Sequence, residues 1–272
     1  MAKSILITGS TDGIGKLAAI RLAKDGHQVY LHGRSKEKLK AVIAEVQRES
    51  GNENIKGFVA DLSDLTAVAK LATEIKAEME SLDVLINNAG VYKSSVATND
   101  QGLDLRFGVN YLAPVLLTES LLPLLKVGDS PRVVNLSSAA QAPVSLQALA
   151  GAASLGHSES YAQSKLALTM WSFDLASQEK EVNIIAVNPG SLLNTRMVRE
   201  GFNQVWSSAD KGSDILYELA VSPAHADKSG LYFNNDLGDP KGDYGPAHGE
   251  AYNATSIKEL IALTQKMLEE YK

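Results

Sequence analysis

The chain has 272 residues, of which 44% are hydrophobic and 21% are charged, the profile of a globular protein with a sizeable core. Its net charge of −6 argues against nucleic acid or an anionic membrane surface as the main partner. The lack of cysteine excludes disulfides, thiolate nucleophiles and thiolate metal sites.

The chain begins with an apolar run that ends at a glycine turn, which is not the pattern of a signal peptide. Its longest apolar stretch, 111–125, is interrupted by prolines and polar residues and is expected to be too short to span a bilayer. The five histidines show no metal-ligand spacing. We therefore expect a cytoplasmic protein with neither a membrane span nor a metal site.

Short apolar runs alternate with helical patterns along the whole chain. Strands are expected over 4–8, 28–33, 55–61, 82–87, 132–138, 183–188 and 230–234. Helices are expected over 13–26, 36–51, 65–80, 158–180 and 255–271, with one more inside 102–126. Continuous apolar strands are buried on both faces, so the alternation predicts a mainly parallel sheet of about seven strands flanked by helices. Residues 1–272 should form a single doubly wound α/β domain with ligands at the carboxyl ends of its strands.

Two segments interrupt this alternation, 139–157 and 191–228, and both are expected to be irregular inserts over the active site. Each follows a strand, so each should project from the ligand-binding edge of the sheet. Their large apolar residues are Leu146, Leu149, Leu155, Met197, Phe202 and Trp206. These residues predict a hydrophobic substrate.

The first strand ends in a glycine-rich turn, TGSTDGIG at 8–15, which opens the first helix. Its three glycines allow a tight turn, and a helix N-terminus attracts a pyrophosphate through backbone N–H groups and the helix dipole. Two hydroxyl side chains are expected to add donors. The predicted cofactor-binding residues of this turn are Gly9, Ser10, Thr11, Gly13, Ile14 and Gly15.

The second strand ends in LHGRS, at the place where an NAD-binding site carries an acidic residue for the ribose. Gly33 and Arg34 stand there instead, and the next acid is Glu37. A guanidinium at this position pairs with a 2′-phosphate, and Ser35 is expected to help. The sequence therefore predicts NADP(H) as the preferred cofactor, with NAD(H) second.

A tyrosine precedes a lysine by one helical turn in SYAQSK, 160–165. Tyr161 and Lys165 therefore share one face of a helix. The lysine charge favours the phenolate, so it is expected to lower the pKa of Tyr161 toward neutral pH. Taken alone, the pair is equally consistent with an ordinary helix surface.

Seven short motifs follow one another between residues 8 and 190. They are TGSTDGIG at 8–15, DL at 61–62, NNAG at 87–90, VN at 109–110, NLSS at 135–138, YAQSK at 161–165 and NPG at 188–190. In this order they resemble the short-chain dehydrogenase/reductase family, in its single-domain type with a Rossmann-type fold. The segment before Tyr161 and the tail at 232–246 resemble the retinol-dehydrogenase-like branch.

The resemblance implies that Asn110, Ser138, Tyr161 and Lys165 are catalytic. Tyr161 would be the acid and base, Ser138 would orient the substrate oxygen, with Ser137 as its rival, and Asn110 would support a proton relay. Lys165 would also hold the nicotinamide ribose.

The resemblance also implies cofactor contacts outside the first two strands. They are Asp61, Leu62, Asn88, Ala89, Gly90, Tyr161, Lys165, Pro189, Gly190, Ser191 and Thr195. In the family a threonine after the Pro-Gly pair binds the nicotinamide carboxamide. Thr195 stands one residue later than that pattern requires, so Ser191 is the alternative.

The predicted function is an NADP(H)-dependent oxidoreductase that interconverts a carbonyl and an alcohol on a hydrophobic small molecule. One alternative is a nucleotide-binding sensor without turnover, and the other is an epimerase or dehydratase with tightly held NAD. Helix 158–180 carries two apolar stripes, so it is expected to be buried on two sides. Core packing explains one stripe as well as a subunit interface does, and the family resemblance implies a homodimer or homotetramer through this helix.

Overall fold

A computed structural model describes residues 2–202, 204–238 and 242–272, which contain one eight-stranded sheet. The strands are β1 (Ser4–Ile7), β2 (Gln28–Gly33), β3 (Ile55–Val59), β4 (Val84–Asn87), β5 (Arg132–Leu136), β6 (Asn183–Asn188), β7 (Leu231–Asn234) and β8 (Asp243–Tyr244). Their order is β3-β2-β1-β4-β5-β6-β7-β8. All pairs are parallel except β7 and β8. The strand order reverses between β1 and β4, which is where a doubly wound sheet opens its ligand crevice.

Ten α-helices connect or follow these strands in the described part of the chain. They are α1 (Gly13–Lys24), α2 (Lys36–Ser50), α3 (Leu65–Glu78), α4 (Leu105–Phe107), α5 (Ala113–Lys126), α6 (Leu146–Leu149), α7 (His157–Gln178), α8 (Arg196–Gly201), α9 (Ala209–Val221) and α10 (Ala254–Leu268). A π-helical turn, Gly108–Leu112, makes α4 and α5 continuous. Side chains of Asp12, Ser35 and Asp64 cap the first three long helices at their N-termini, so the local sequence sets where each helix begins.

The helices form a layer on each face of the sheet. Helices α1, α2 and α9 cover one face, and α3, α5, α7 and α10 cover the other. Strands β1, β2, β4, β5 and β6 are almost completely buried, which explains why their sequences are continuous apolar runs instead of alternating ones. The single α/β domain with a mainly parallel sheet is thus confirmed, with one short antiparallel strand added at its edge.

The segment 191–228 is not an irregular insert, as the sequence suggested, because most of its second half is helix α9. Ile215, Leu216 and Leu219 of that helix are buried against the sheet and α1. Their spacing is helical, but the polar residues Ser208, Asp210 and Lys211 at the start of α9 obscure it. Only the part before Ala209 remains near the ligand edge of the sheet.

The apolar stretch at 111–125 belongs to a 22-residue helical run, Leu105–Lys126, which is long and apolar enough to cross a membrane. The expectation that it is too short is therefore wrong. In the structure 67% of its most apolar window is buried, and it packs between α3 and α7 as a core helix.

Both apolar stripes of α7 are covered within the chain itself. Leu166 and Met170 on one stripe, and Leu168 and Trp171 on the other, are at most 2% exposed. Phe173 is half-buried and packs against Tyr252, with ring centroids 5.4 Å apart. Folding of one chain therefore accounts for both stripes without a second subunit.

Candidate active site

The glycine turn lies where β1 and β4 diverge. Gly9 has φ +62°, and a Cβ there would come within 2.7 Å of the Ala89 Cα atom, so the turn closes only with glycine. The Asn88 Nδ2 atom donates to the carbonyl oxygens of Thr8 (2.7 Å) and Gly9 (3.0 Å). The NNAG motif therefore fixes the glycine turn from the neighbouring strand.

Ser10 supports the turn from inside and is not exposed as a donor. Its hydroxyl is fully buried, donates to the Ile7 carbonyl at 2.9 Å and accepts from the His32 N–H at 2.9 Å. The expectation that this hydroxyl contacts the cofactor is therefore wrong, because both of its bonding directions are used within the protein. Thr11 lies against Gly33, where a Cβ would meet its Cγ2 atom at 2.5 Å.

The His32 side chain, near the end of β2, is hydrogen-bonded to the residues that follow β1 and β3. Its Nδ1 atom accepts from the Gly9 N–H at 3.1 Å, and its Nε2 atom lies 3.1 Å from the Ala60 carbonyl. These partners require the neutral tautomer that carries its proton on Nε2. Burial lowers the pKa of His32 to about 4, which keeps that tautomer through neutral pH.

Arg34 stands at the end of β2 with an exposed side chain, and it makes no ion pair with any described residue. Its guanidinium is therefore accessible to an anion. The Ser35 hydroxyl caps α2 by accepting from the Lys38 N–H at 3.2 Å and donates to the Glu37 carboxylate at 3.1 Å. Asp61 is exposed and accepts from the backbone and hydroxyl of Ser63.

Asn110 lies in the π-helical turn, and the Ala113 N–H there bonds to the Gly108 carbonyl five residues before it. Its amide forms a pair of hydrogen bonds with the Val91 backbone, at 2.8 and 3.0 Å, and donates to the Ser164 hydroxyl at 3.0 Å. π-Turns of this kind are frequent at functional sites because they redirect one side chain within a helix. The turn brings the Asn110 amide into contact with Ser164 in the first half of α7.

Lys165 points from α7 toward the end of β5. Its Nζ atom donates to the Leu136 carbonyl at 2.6 Å and lies 5.6 Å from the centre of the Tyr161 ring. A Cβ on Gly90 would stand 3.7 Å from this Nζ atom and 3.4 Å from the Asn110 Oδ1 atom. The fold thus brings Asn110, Tyr161 and Lys165 together beside the NNAG turn.

Burial shifts the pKa values of both Tyr161 and Lys165 away from their ordinary values. Burial raises the pKa of Tyr161, and a hydrogen bond with Ser138 opposes the rise only in part. Burial also lowers the pKa of Lys165 to about 7, so half of its charge is lost near neutral pH. The expected lowering of the Tyr161 pKa by Lys165 is therefore not produced by the protein alone.

The two serines of NLSS have different environments. The Ser137 hydroxyl is buried, lies 2.6 Å from the Thr169 hydroxyl and donates to the Lys165 carbonyl at 3.1 Å. The Ser138 side chain is half-buried, its hydroxyl accepts from the Ala140 N–H at 3.1 Å, and its interaction with the Tyr161 phenol lowers the pKa of that phenol. Ser138, and not its rival, faces the site.

The turn after β6 distinguishes Ser191 from Thr195. The Ser191 hydroxyl donates to the Asp236 carboxylate at 2.6 Å, so it is bound inside the protein. A Cβ on Gly13 would stand 3.7 Å from the Thr195 Cγ2 atom, which places Thr195 across the glycine turn. The geometry therefore favours Thr195 as the cofactor contact.

An aromatic cluster lies beside the catalytic tyrosine. The Tyr92 ring meets the Tyr161 ring edge-on at 5.1 Å and stacks on Phe202 at 4.7 Å. Its hydroxyl bonds to the Ser158 hydroxyl at 2.7 Å. Trp206, which follows α8, is 69% exposed and makes no ring contact with this cluster among the described residues. The rings of Tyr92 and Phe202 make the approach to Tyr161 apolar.

The three leucines of the segment 139–157 do not line this approach. Leu149 is fully buried in the core, and Leu146 and Leu155 pack against the same core. Met197 of α8 does reach the site, since its Cε atom would lie 3.7 Å from a Cβ on Gly90. The apolar lining thus comes from α8 and Tyr92.

The residues fit a dinucleotide. The first N–H groups of α1 have no intrahelical partners and can bind a pyrophosphate. Arg34 is free to pair with a phosphate on the adenosine side, and Gly90, Asn110 and Lys165 border the other end. On that adenosine side, Gly33 leaves the space that the Thr11 side chain occupies, because a Cβ at position 33 would collide with Thr11.

Several residues that support the site were not singled out from the sequence. His32 ends a buried strand, so a polar residue in an apolar run was an available signal. The Ser138 carbonyl accepts from the Tyr232 hydroxyl and the Gln141 amide, both at 2.9 Å. No local pattern could have indicated Tyr232, because it lies 94 residues from Ser138 in the sequence.

Comparison with known proteins agrees with this geometry. The family profile described as short chain dehydrogenase matches residues 3–206. Human retinol dehydrogenase 13 is 32% identical over 89% of this chain and 75% of its own length. Human polyprenol dehydrogenase is also 32% identical, over 85% of this chain and 76% of its own length.

A solved structure gives the same result for the fold. A short chain dehydrogenase from Shigella flexneri 2a str. 301, complexed with NADP, has a TM-score of 0.70 and 28% identity, covering 87% of this chain and 98% of its own. The chain therefore belongs to the short-chain dehydrogenase/reductase family and is an oxidoreductase of that family.

Proposed function

We propose that the protein is an NADP(H)-dependent reductase that converts a carbonyl on a hydrophobic small molecule to an alcohol, and the reverse. The observation that carries this proposal is the convergence of Asn110, Ser138, Tyr161 and Lys165 beside the NNAG and glycine turns. These four residues come from three separate elements, and a protein that only bound nucleotide would not need them together.

The protein's residues can perform the proton step of this reaction. When bound, NADPH supplies the hydride that adds to the carbonyl carbon. Tyr161 donates its phenolic proton to the carbonyl oxygen, and Ser138 donates a hydrogen bond to the same oxygen. Because burial raises the pKa of Tyr161, the proton is present at neutral pH. The charged form of Lys165 stabilises the phenolate that remains.

Support for the finer points comes from separate observations. The exposed Arg34 in place of an acid supports a preference for the 2′-phosphate of NADP(H) over NAD(H). The aromatic approach formed by Tyr92 and Phe202 supports a hydrophobic substrate. The relatives named as retinol and polyprenol dehydrogenases, whose names give apolar alcohols, support the same class.

The test is a decrease in absorbance at 340 nm with NADPH or NADH and a panel of aliphatic, aromatic and isoprenoid carbonyls. We expect turnover with NADPH on apolar members of the panel. NADPH binding without turnover on any of them would favour a sensor. A protein that purifies with tightly held NAD would favour an epimerase or dehydratase.

Location and assembly are also proposals. A cytoplasmic location rests on the sequence pattern described above. Pairing through α7 would use the groove of about 650 Å³ beside Phe173 and Tyr252. Light scattering after gel filtration tests it, and a monomer at micromolar concentration would contradict it.

A further inference from the structure

The turn that follows β6 has an unusual backbone. Gly190 has φ +121° and Leu192 has φ +47°, so two of three consecutive residues occupy regions that side-chain-bearing residues rarely adopt. Such conformations persist only where surrounding contacts determine them, and they concentrate at functional sites. This turn borders the nicotinamide end of the proposed cofactor site.

Three consecutive residues at the end of β7, Asn234, Asn235 and Asp236, supply those contacts. Asn235 is 2% exposed, and its Nδ2 atom donates to the Pro189 carbonyl at 2.8 Å. Asp236 accepts from the Ser191 N–H at 2.9 Å and from the Ser191 hydroxyl at 2.6 Å.

The residue before the turn is held by the same segment. The Nδ2 atom of the buried Asn188 donates to the Asn234 Oδ1 atom at 2.8 Å and to the Asp236 Oδ2 atom at 2.7 Å. The Asn235 N–H also donates to the Asn188 carbonyl at 3.0 Å. Every residue from 188 to 191 except Gly190 is therefore bonded directly to this segment.

The far side of the turn is held by packing. Leu193 is 4% exposed and lies against Gly212 of α9, where any Cβ would collide with Leu193 and with Ile14 of the glycine turn. The positive φ of Leu192 is what turns the chain so that Leu193 can enter this space. Hydrogen bonds on one side and packing on the other thus determine the turn.

We propose that Asn234, Asn235 and Asp236 are positioning residues that hold the turn 189–192 in the strained shape that orders the nicotinamide end of bound NADP(H). The inference rests on the proposed function. It predicts that loosening this segment weakens contacts to the nicotinamide half of the cofactor and leaves the adenosine half, which binds at the ends of β1, β2 and β3, unchanged.

The test compares two ligands on two variants. Dissociation constants for NADPH and for 2′,5′-ADP, which lacks the nicotinamide half, are measured with Asp236→Ala and with the control Asp227→Ala. Asp227 has an 80% exposed side chain and, within the part of the chain that the structure describes, forms an ion pair only with its neighbour Lys228. We expect Asp236→Ala to raise the NADPH constant about tenfold, the size expected for losing charge-assisted hydrogen bonds, and to leave that for 2′,5′-ADP unchanged.

Equal weakening of both ligands, or no change in either, would overturn the inference. Should Asp236→Ala not fold, Asp236→Asn keeps the side-chain size, and we expect about a threefold change confined to the NADPH dissociation constant.

Ser191→Ala keeps the N–H bond to Asp236, so its effect on the NADPH dissociation constant should be smaller than that of Asp236→Ala. An equal effect would mean that the Ser191 hydroxyl contacts the cofactor and would also overturn the inference. Because binding needs no turnover, a lack of carbonyl reduction would contradict the proposed function alone.

Discussion

The two halves of the proposed cofactor cleft are built in different ways. The adenosine half, at the ends of β1, β2 and β3, is made by residues close in sequence, with glycines, helix caps and the buried His32 in a relaxed backbone. The nicotinamide half joins residues from β4 to β7 that are far apart in sequence, and its central turn is strained. The comparison suggests that recognition of the cofactor is local, whereas chemistry depends on the whole fold.

The largest expected effect is on the nicotinamide half. Tyr161→Phe should reduce carbonyl turnover by about 1000-fold, within the range for removing a general acid, and leave the dissociation constant of NADPH unchanged. Stopped-flow reduction and fluorescence titration would measure the two quantities. Tyr252→Phe, which alters a mostly exposed tyrosine, is the matched control. Retention of most activity in Tyr161→Phe would contradict the assignment of the acid.

The next effect tests the adenosine half. Arg34→Ala should weaken NADPH about 30-fold and NADH less than threefold, because only NADPH carries the phosphate that the guanidinium would bind. Dissociation constants for both cofactors would measure this. The control is Arg48→Ala at the far end of α2, whose side chain is 72% exposed. Equal losses for both cofactors would show that Arg34 does not bind the phosphate.

The buried lysine predicts a pH dependence of stability. The pKa of Lys165 is about 7 in the folded protein and ~10.4 in the unfolded chain, so between these pH values the unfolded state binds more protons. Stability should therefore rise with pH in this window, since burial no longer opposes a charge in the folded state. Below pH 7 both states are charged and the contribution is constant.

Urea unfolding of the wild type and of Lys165→Met at pH 7 and pH 9 would measure this contribution. We expect the free energy of unfolding of the wild type to rise by about 2 kcal/mol more than that of the variant between pH 7 and pH 9. This figure follows from 1.36 kcal/mol per pH unit, reduced because the buried ammonium keeps part of its hydration. Parallel pH profiles for the two proteins would show that Lys165 keeps its charge when buried.

The smallest effect again concerns the adenosine half. His32→Leu should lower the free energy of unfolding by about 1.5 kcal/mol, because it leaves the Gly9 N–H and the Ala60 carbonyl without partners. His32→Asn retains an acceptor near the Nδ1 position and should lose less. Urea denaturation distinguishes them. Equal losses would mean that packing, and not the bond to Gly9, is what His32 provides.

Local sequence features were sufficient for much of the adenosine half. The glycine turn, the exposed Arg34 and the caps of α1, α2 and α3 all follow from residues within a few positions of each other. One exception is Ser10, whose hydroxyl looked available but is buried beneath the turn. A local pattern shows which residue types are present, but not which side of a turn each one faces.

In the nicotinamide half, local sequence patterns were not sufficient to separate the candidate site residues. The sequence favoured Ser138 over its rival Ser137 only through the family resemblance, and it left Ser191 and Thr195 as alternatives. The structure separates each pair through partners from distant elements, Thr169 on α7 and Asp236 after β7. The directions of the Tyr161 and Lys165 pKa shifts also depend on burial, which no spacing of residues records.

The sequence by itself determined the βα alternation, the parallel sheet and the family, because continuous apolar strands and seven ordered motifs are properties of the chain. Only the tertiary structure decided that α9 is a core helix, that both stripes of α7 are covered and that a strained turn lies beside the nicotinamide position. The physical reason is that burial and hydrogen-bond pairing between distant residues are settled only when the two layers close on the sheet.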